Sequence, residues 1–284
     1  MRKLAIGAAL SGALALTGLT GLTAPLASAA TTGPDLVFSD VVVNKGKAIV
    51  VGTSATVKVP VTYTLTRPSD LVIDYKTNFV GVLLYRGPLR DPANSIEPDG
   101  ASTCTTTSTT DTTVTEACTE TIGVEPRSDL YAAADATTWK AGGFYSHLEE
   151  DDDDSDGHVG FGYGYEVWGD VGTAQIKRAA KLTADASPEP VVKGKTLTVK
   201  GALTRARWAT GRYEGYAAQS VALQFRPAGS TTYTTVKTVT SGTGGALSTT
   251  VKATKSGYFR YQFAGTATTG AKTSTGDYVK VDAG

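Results

Sequence analysis

Residues 56–66 read Thr-Val-Lys-Val-Pro-Val-Thr-Tyr-Thr-Leu-Thr, and this strict alternation constrains the fold more than any other feature of the chain. Val57, Val59, Val61, Tyr63 and Leu65 fall at every second position. A period of two places them on one face of an extended strand, because successive side chains of a strand point to opposite sides. Pro60 removes one ladder donor, so it predicts an edge position or a bulge. The same period returns at Val159, Phe161, Tyr163, Tyr165 and Val167, with Gly160, Gly162 and Gly164 on the opposite face. Only residues 128–136 carry a weak helical signal, with Ser128 as N-cap.

After residue 180 the strands become short and regular. They are expected at 181–184, 196–203, 220–227, 233–239, 247–253, 258–264 and 277–281, with glycine-bearing turns between several of them. Seven such strands in about 100 residues predict an immunoglobulin-like sandwich. Its expected core is Leu197, Val199, Val221, Leu223, Phe225, Leu247, Val251, Phe259, Tyr261, Phe263, Val279 and Val281. Ser187-Pro188-Glu189-Pro190 reads as the boundary between the two halves, a stiff linker that separates them. The fold expected for the chain is therefore all-β: two β-sandwich, immunoglobulin-like domains.

The first residues predict export. Arg2 and Lys3 precede an apolar run, and Ala27-Ser28-Ala29 forms a small-x-small cleavage site. This pattern favours a cleaved signal peptide, residues 1–29, over a membrane anchor. No later stretch reaches the ~18 apolar residues of a spanning helix. A secreted, extracellular location follows as an expectation, and nucleic acid is not an expected partner. The expected division is then 1–29, an acidic β-domain over 30–180, and a basic β-sandwich over 181–284.

The net charge of zero conceals that division. Residues 30–180 carry 11 Lys and Arg against 22 Asp and Glu, a net of −11. Residues 181–284 carry 14 against 5, a net of +9. Opposite surfaces favour docking of the halves, and a basic half also suits an anionic polymer outside the cell. The only cysteines, Cys104 and Cys118, are expected to form a disulfide in an oxidising compartment. In the chain-entropy model a loop of this size contributes on the order of 3 kcal/mol.

Two segments suggest ligands. Residues 152–157, Asp-Asp-Asp-Ser-Asp-Gly, fit D-x-D-x-D-G. Asp152, Asp154 and Asp156 would supply carboxylates to a calcium ion and His158 its backbone carbonyl, calcium being a hard cation that takes six to eight oxygens. Position twelve is Tyr163 rather than Glu, so the segment is not an EF-hand. Seven carboxylates in the eight residues 149–156 also fit a solvated acidic loop. The second segment gathers Arg205, Arg207, Trp208, Arg212, Tyr213 and Tyr216 between two strands. Aromatics stack on sugars and arginines pair with phosphate or carboxylate, which makes this a candidate ligand loop. The bland reading packs Trp208 back into the core and leaves the arginines solvated.

No catalytic site is expected. His147 and His158 are the only histidines, and the chain has no H-E-x-x-H, G-x-S-x-G or phosphate-loop pattern. Two functions remain. One is a secreted, non-catalytic protein that binds calcium through the acidic loop and has a structural or interaction role, with an extracellular protein as partner. The other is a module that binds cell-wall polymer or polysaccharide through the basic loop.

Several phrases resemble a known group. They are Ala-Ser-Pro-Glu-Pro-Val at 186–191, Lys-Gly-Lys-Thr-Leu-Thr-Val at 193–199, Val-Ala-Leu-Gln-Phe-Arg at 221–226 and Ser-Gly-Tyr-Phe-Arg-Tyr-Gln-Phe-Ala-Gly at 256–265. They resemble secreted proteins of streptomycetes and other actinobacteria that carry the label calcium-binding protein. The resemblance covers 181–284 and implies a secreted immunoglobulin-like C-terminal module. It carries over no catalytic residues.

Overall fold

The computed structural model describes residues 34–75, 78–91, 94–151 and 160–284, and of residues 148–151 and 160–163 the backbone alone. Among these residues there is no α-helix. Nine strands build the first half. They are β1 (Val37–Val43), β2 (Ile49–Val51), β3 (Val57–Pro68), β4 (Phe79–Tyr85), β5 (Ser95–Ile96), β6 (Thr103–Thr109), β7 (Thr113–Val124), β8 (Thr138–Asp151) and β9 (Gly160–Arg178). One sheet runs β1-β3-β7-β6 and the other β2-β9-β8-β4-β5. The alternation at 57–65 does what its period requires. Val59, Val61, Tyr63 and Leu65 are buried and meet Val80, Val82 and Leu84 of β4 and Trp139 of β8 in one core between the sheets.

Pro60 is not on an edge strand as expected. It lies in β3, the second strand of its sheet, and is tolerated because pairing with β1 ends at Val61. On that side Pro60 has no ladder bond to lose. The weak helical signal proves to be a single 3-10 turn, Ala133–Asp135. Asp135 Oδ2 holds it by accepting from the N–H groups of Tyr131 and Ala132 at 2.7 Å each. Cys104 and Cys118 stand opposite each other on the β6–β7 hairpin and form a disulfide. Such a bond suits an oxidising compartment outside the cytoplasm.

Twelve further elements follow: β10 (Ala180–Leu182), β11 (Asp185–Ser187), β12 (Val191–Val192), β13 (Thr196–Arg207), β14 (Arg212–Gly215), β15 (Ser220–Pro227), β16 (Thr234–Thr240), β17 (Ala246–Lys252), β18 (Gly257–Phe263), β19 (Lys272–Thr273), β20 (Asp277–Val279) and β21 (Val281–Asp282). β13 pairs with β10, β11, β14 and β17 to make one sheet, and β16-β15-β18-β19 with β20 makes the other. Leu197, Val199 and Leu247 from the first face Val221, Leu223, Phe259, Tyr261 and Phe263 from the second. This is the expected immunoglobulin-like sandwich. Phe225, Val251 and Val281 border its core half-buried rather than filling it. The buried Tyr261 hydroxyl donates to Val199 O at 2.8 Å and joins the two sheets.

The halves meet without a linker. β9 ends at Arg178 and β10 begins at Ala180. Ser187-Pro188-Glu189-Pro190 instead turns the chain between β11 and β12, inside the second sandwich. Prolines suit this turn because the chain there leaves the β13 ladder for that of β21. Pro34–Gly284 hold together as one unit with two cores.

Candidate functional site

β13 is the element that reaches both cores. Its first seven residues pair with β17, and Leu197, Val199 and Leu203 enter the second core. Its end pairs with β14, and there Ala206 enters the first core. Residues 205–216, expected as a loop, thus form a hairpin. Two residues facing each other on an antiparallel ladder share a face. Arg205 faces Glu214 and Arg207 faces Arg212, so these four lie together. Ala206 faces Tyr213 on the opposite side, against the first core.

The six residues of the basic loop therefore separate. Arg205, Arg207 and Arg212 share one face. Tyr213 lies on the other, with Lys181 Nζ 4.0 Å from its ring centre. Tyr216 lies under Arg205, whose guanidinium carbon is 3.9 Å from the ring centre. Trp208 is only 2% exposed and packs into the first core, not the second, with its indole N–H donating to Gly52 O at 2.9 Å. Its ring is therefore not available to stack on a sugar.

A fourth arginine joins this face from the other half of the chain. Ala180 pairs with Arg205, and the Ala206 N–H donates to Ala179 O at 2.8 Å. Arg178, two residues before Ala180, borders the same cavity as Arg205 and Arg207. Its backbone is fixed on the opposite side by bonds to Thr268 O at 3.0 Å and from the Gly270 N–H at 2.9 Å. Nothing local to Arg178 marks it as part of this face, because it ends a strand 27 residues before Arg205. The usable signal is the i, i+2 spacing of Arg178, Ala180 and Leu182, which puts an arginine in line with two buried apolar residues.

Arg178 is 7% exposed, and its buried Nε has no hydrogen-bond partner. Burial holds its proton affinity below the ordinary arginine value, and the charges of Arg205 and Arg207 lower it further. Glu214 is the carboxylate on this face. It is bound to Arg207 at 2.8 Å, which raises the proton affinity of Arg207 and lowers that of Glu214. Asp135 lies nearby, yet its oxygens serve Arg86 at 2.6 Å and the two turn N–H groups. Arg178, Arg205 and Arg207 border a cavity of about 320 Å³, which residues 131–133 also line.

Asp152, Asp154, Asp156 and His158 lie outside the described residues. Among the described residues no group of three or more His, Cys, Asp or Glu is placed to hold a metal ion. If the acidic segment is a calcium loop, Asp154→Ala removes most of the rise in melting temperature caused by calcium, whereas Asp153→Ala, at a non-ligand position, removes little. Equal behaviour of the two variants in a thermal melt identifies a screened charge cluster instead.

No protein-family model matches the chain, and no curated protein matches it. Among solved structures, one match is the full ectodomain (Ig1–Ig3) of mouse nectin-like molecule 4, at 14% identity and a TM-score of 0.23. The alignment covers 87% of this chain and 66% of that one.

Proposed function

We propose that this chain is an extracellular, non-catalytic binding protein that holds an anionic polymer of the cell exterior, such as a phosphate-bearing wall polymer, on the face shared by Arg178, Arg205, Arg207 and Arg212. One observation carries the reading: the β13–β14 register sets Arg205, Arg207 and Arg212 on one face with the single carboxylate of Glu214, and Arg178 borders the same cavity as Arg205 and Arg207. Charges of one sign held together on a rigid sheet raise the local potential and favour a ligand of opposite sign. Arginine suits this role because its planar fork meets carboxylate or phosphate oxygens with two parallel bonds. The net charge of +9 over residues 181–284 supports the same reading. The calcium reading rests on the sequence of residues 152–158 alone.

Co-sedimentation of the purified chain with insoluble wall polymer tests the reading. Wild type is expected in the pellet at low salt and progressively less so as salt screens the contact. The double variant Arg207→Glu with Arg212→Glu acts at two exposed positions and is expected to weaken retention at least tenfold, since charge-assisted hydrogen bonds contribute about 1.5–3 kcal/mol each. Equal retention of variant and wild type rejects the proposal.

A further inference from the structure

We propose that the cavity between residues 131–133 and the β13–β14 hairpin seats one phosphate group, gripped by the guanidinium groups of Arg178, Arg205 and Arg207; this rests on the reading of the arginine face as a polymer-binding surface. The starting point is that Arg178 is buried with an unpartnered Nε. Arginine is almost never buried without a partner, because losing water costs a charge far more than packing returns. Arg205 and Arg207 repel Arg178, the charge of Asp135 offsets part of that repulsion, and the Trp208 ring, 5.9 Å from its guanidinium carbon, offers only a weak cation–π contact. The fold keeps the arginine there with backbone bonds on both sides. A group held at such cost on rigid strands marks a place where stability is given up for binding.

Charge selects the ligand. Three guanidinium groups border the cavity and Glu214 neutralises one, leaving two positive charges. A phosphate monoester carries nearly two negative charges at neutral pH, whereas a uronic carboxylate carries one. Three tetrahedrally arranged oxygens also accept from three arginines at once. The cavity volume of about 320 Å³ leaves room for the sugar or polyol that bears the phosphate. Tyr131, 58% exposed, borders the cavity and can offer its ring to that residue.

Calorimetric titration of the purified chain with sodium phosphate, and separately with sodium glucuronate, tests this at fixed ionic strength. Wild type is expected to bind phosphate more tightly than glucuronate. Arg178→Met keeps the volume of the side chain and removes its charge, and it is expected to weaken phosphate binding at least tenfold. Arg205→Ala, at a less buried position, is expected to do the same. The melting temperature of ligand-free Arg178→Met is expected to rise by about 2–4 °C, the shift that corresponds to relief of about 1 kcal/mol in a chain of this size. A purely structural arginine gives the opposite result, a lower melting temperature with phosphate binding unchanged, and that result overturns the proposal. Wild type that sediments with wall polymer yet binds no phosphate overturns the seat and leaves the polymer reading standing. Failure of both assays rejects both. Tighter binding of glucuronate overturns the assignment to phosphate.

Discussion

Trp208→Ala is expected to destabilise the chain by roughly 3–5 kcal/mol, the range for removing a fully buried Trp. The ring leaves a cavity among the residues of the first core, although Trp208 belongs to a hairpin of the second sandwich. The substitution also strands Gly52 O, which accepts the indole N–H at 2.9 Å. For a chain of this size the loss corresponds to a fall in melting temperature of roughly 6–20 °C. Because β13 supplies Leu197, Val199 and Leu203 to one core and Ala206 to the other, it couples two cores of which only the first loses the ring. Urea denaturation followed by circular dichroism is expected to show wild type unfolding in one transition and the variant in two, the first half melting earlier. Trp208→Phe keeps most of the packing and is expected to lose about half as much or less. A loss below about 1 kcal/mol for Trp208→Ala contradicts the role of Trp208 as a core residue.

Which parts of this architecture could be read in advance follows from the range over which each determinant acts. Strand positions after residue 180 lie close to those expected, because each depends on a local period of two and a turn nearby. The N-terminal core face at Val59, Val61, Tyr63 and Leu65 was legible for the same reason. The path of β13 was not. Twelve residues of one strand serve two cores, and nothing local to Arg205 or Trp208 states which core lies on which side. Periodicity assigns residues to a face and leaves the neighbour across that face unspecified. The arginine face was half legible: the cluster at 205–212 stood out, whereas Arg178, from the end of β9, joins it only through the folded cavity. The two prolines at 188 and 190 were misread as the boundary between the halves, because a proline pair looks the same in a linker as in a turn inside the second sandwich.

The least legible feature is a pair of buried glutamates in β7. The inward positions of this strand are Val114, Glu116, Cys118, Glu120, Ile122 and Val124, so two carboxylates occupy a face otherwise suited to apolar residues. Each has a partner from a distant segment. Glu116 binds Arg67 at 3.1 Å and the Tyr75 hydroxyl at 2.7 Å. Glu120 crosses to the other sheet, where Oε1 accepts the Val82 N–H at 2.9 Å and Oε2 lies 2.7 Å from Ser102 Oγ. Gly81 permits this crossing: a Cβ there would lie 2.5 Å from Glu120 Oε2.

Stability of the first half is expected to fall as pH rises through about 7, because Glu120 holds a proton in the folded state. Burial pushes its carboxyl from 4.5 up to about 7, against the opposing effect of the bonds from Ser102 and Val82. The hydrogen-bond geometry around Ser102 is compatible with that proton. Ser102 Oγ lies 2.8 Å from Val80 O, 2.7 Å from Glu120 Oε2 and 2.8 Å from the Tyr63 hydroxyl. Ser102 has one proton for the two acceptors Val80 O and Glu120 Oε2, so a proton on Glu120 adds a donor to a group that is short of one. The folded state then binds more protons than the unfolded state between pH 4.5 and about 7. This stabilisation is fully present below pH 4.5 and is lost as pH rises through 7. At about 1.4 kcal/mol for each pH unit between the two values, the loss is on the order of 3 kcal/mol. Glu116 and Tyr63 are the other titratable groups at this junction, and burial raises the Tyr63 value far above that range, so it stays neutral. Glu120→Gln keeps an acceptor for Val82 and supplies an N–H to Ser102 at every pH. Urea denaturation at pH 5 and pH 9 is therefore expected to show a large loss for wild type and a much smaller one for the variant. Equal curves for wild type at the two pH values would show that Glu120 is ionised throughout.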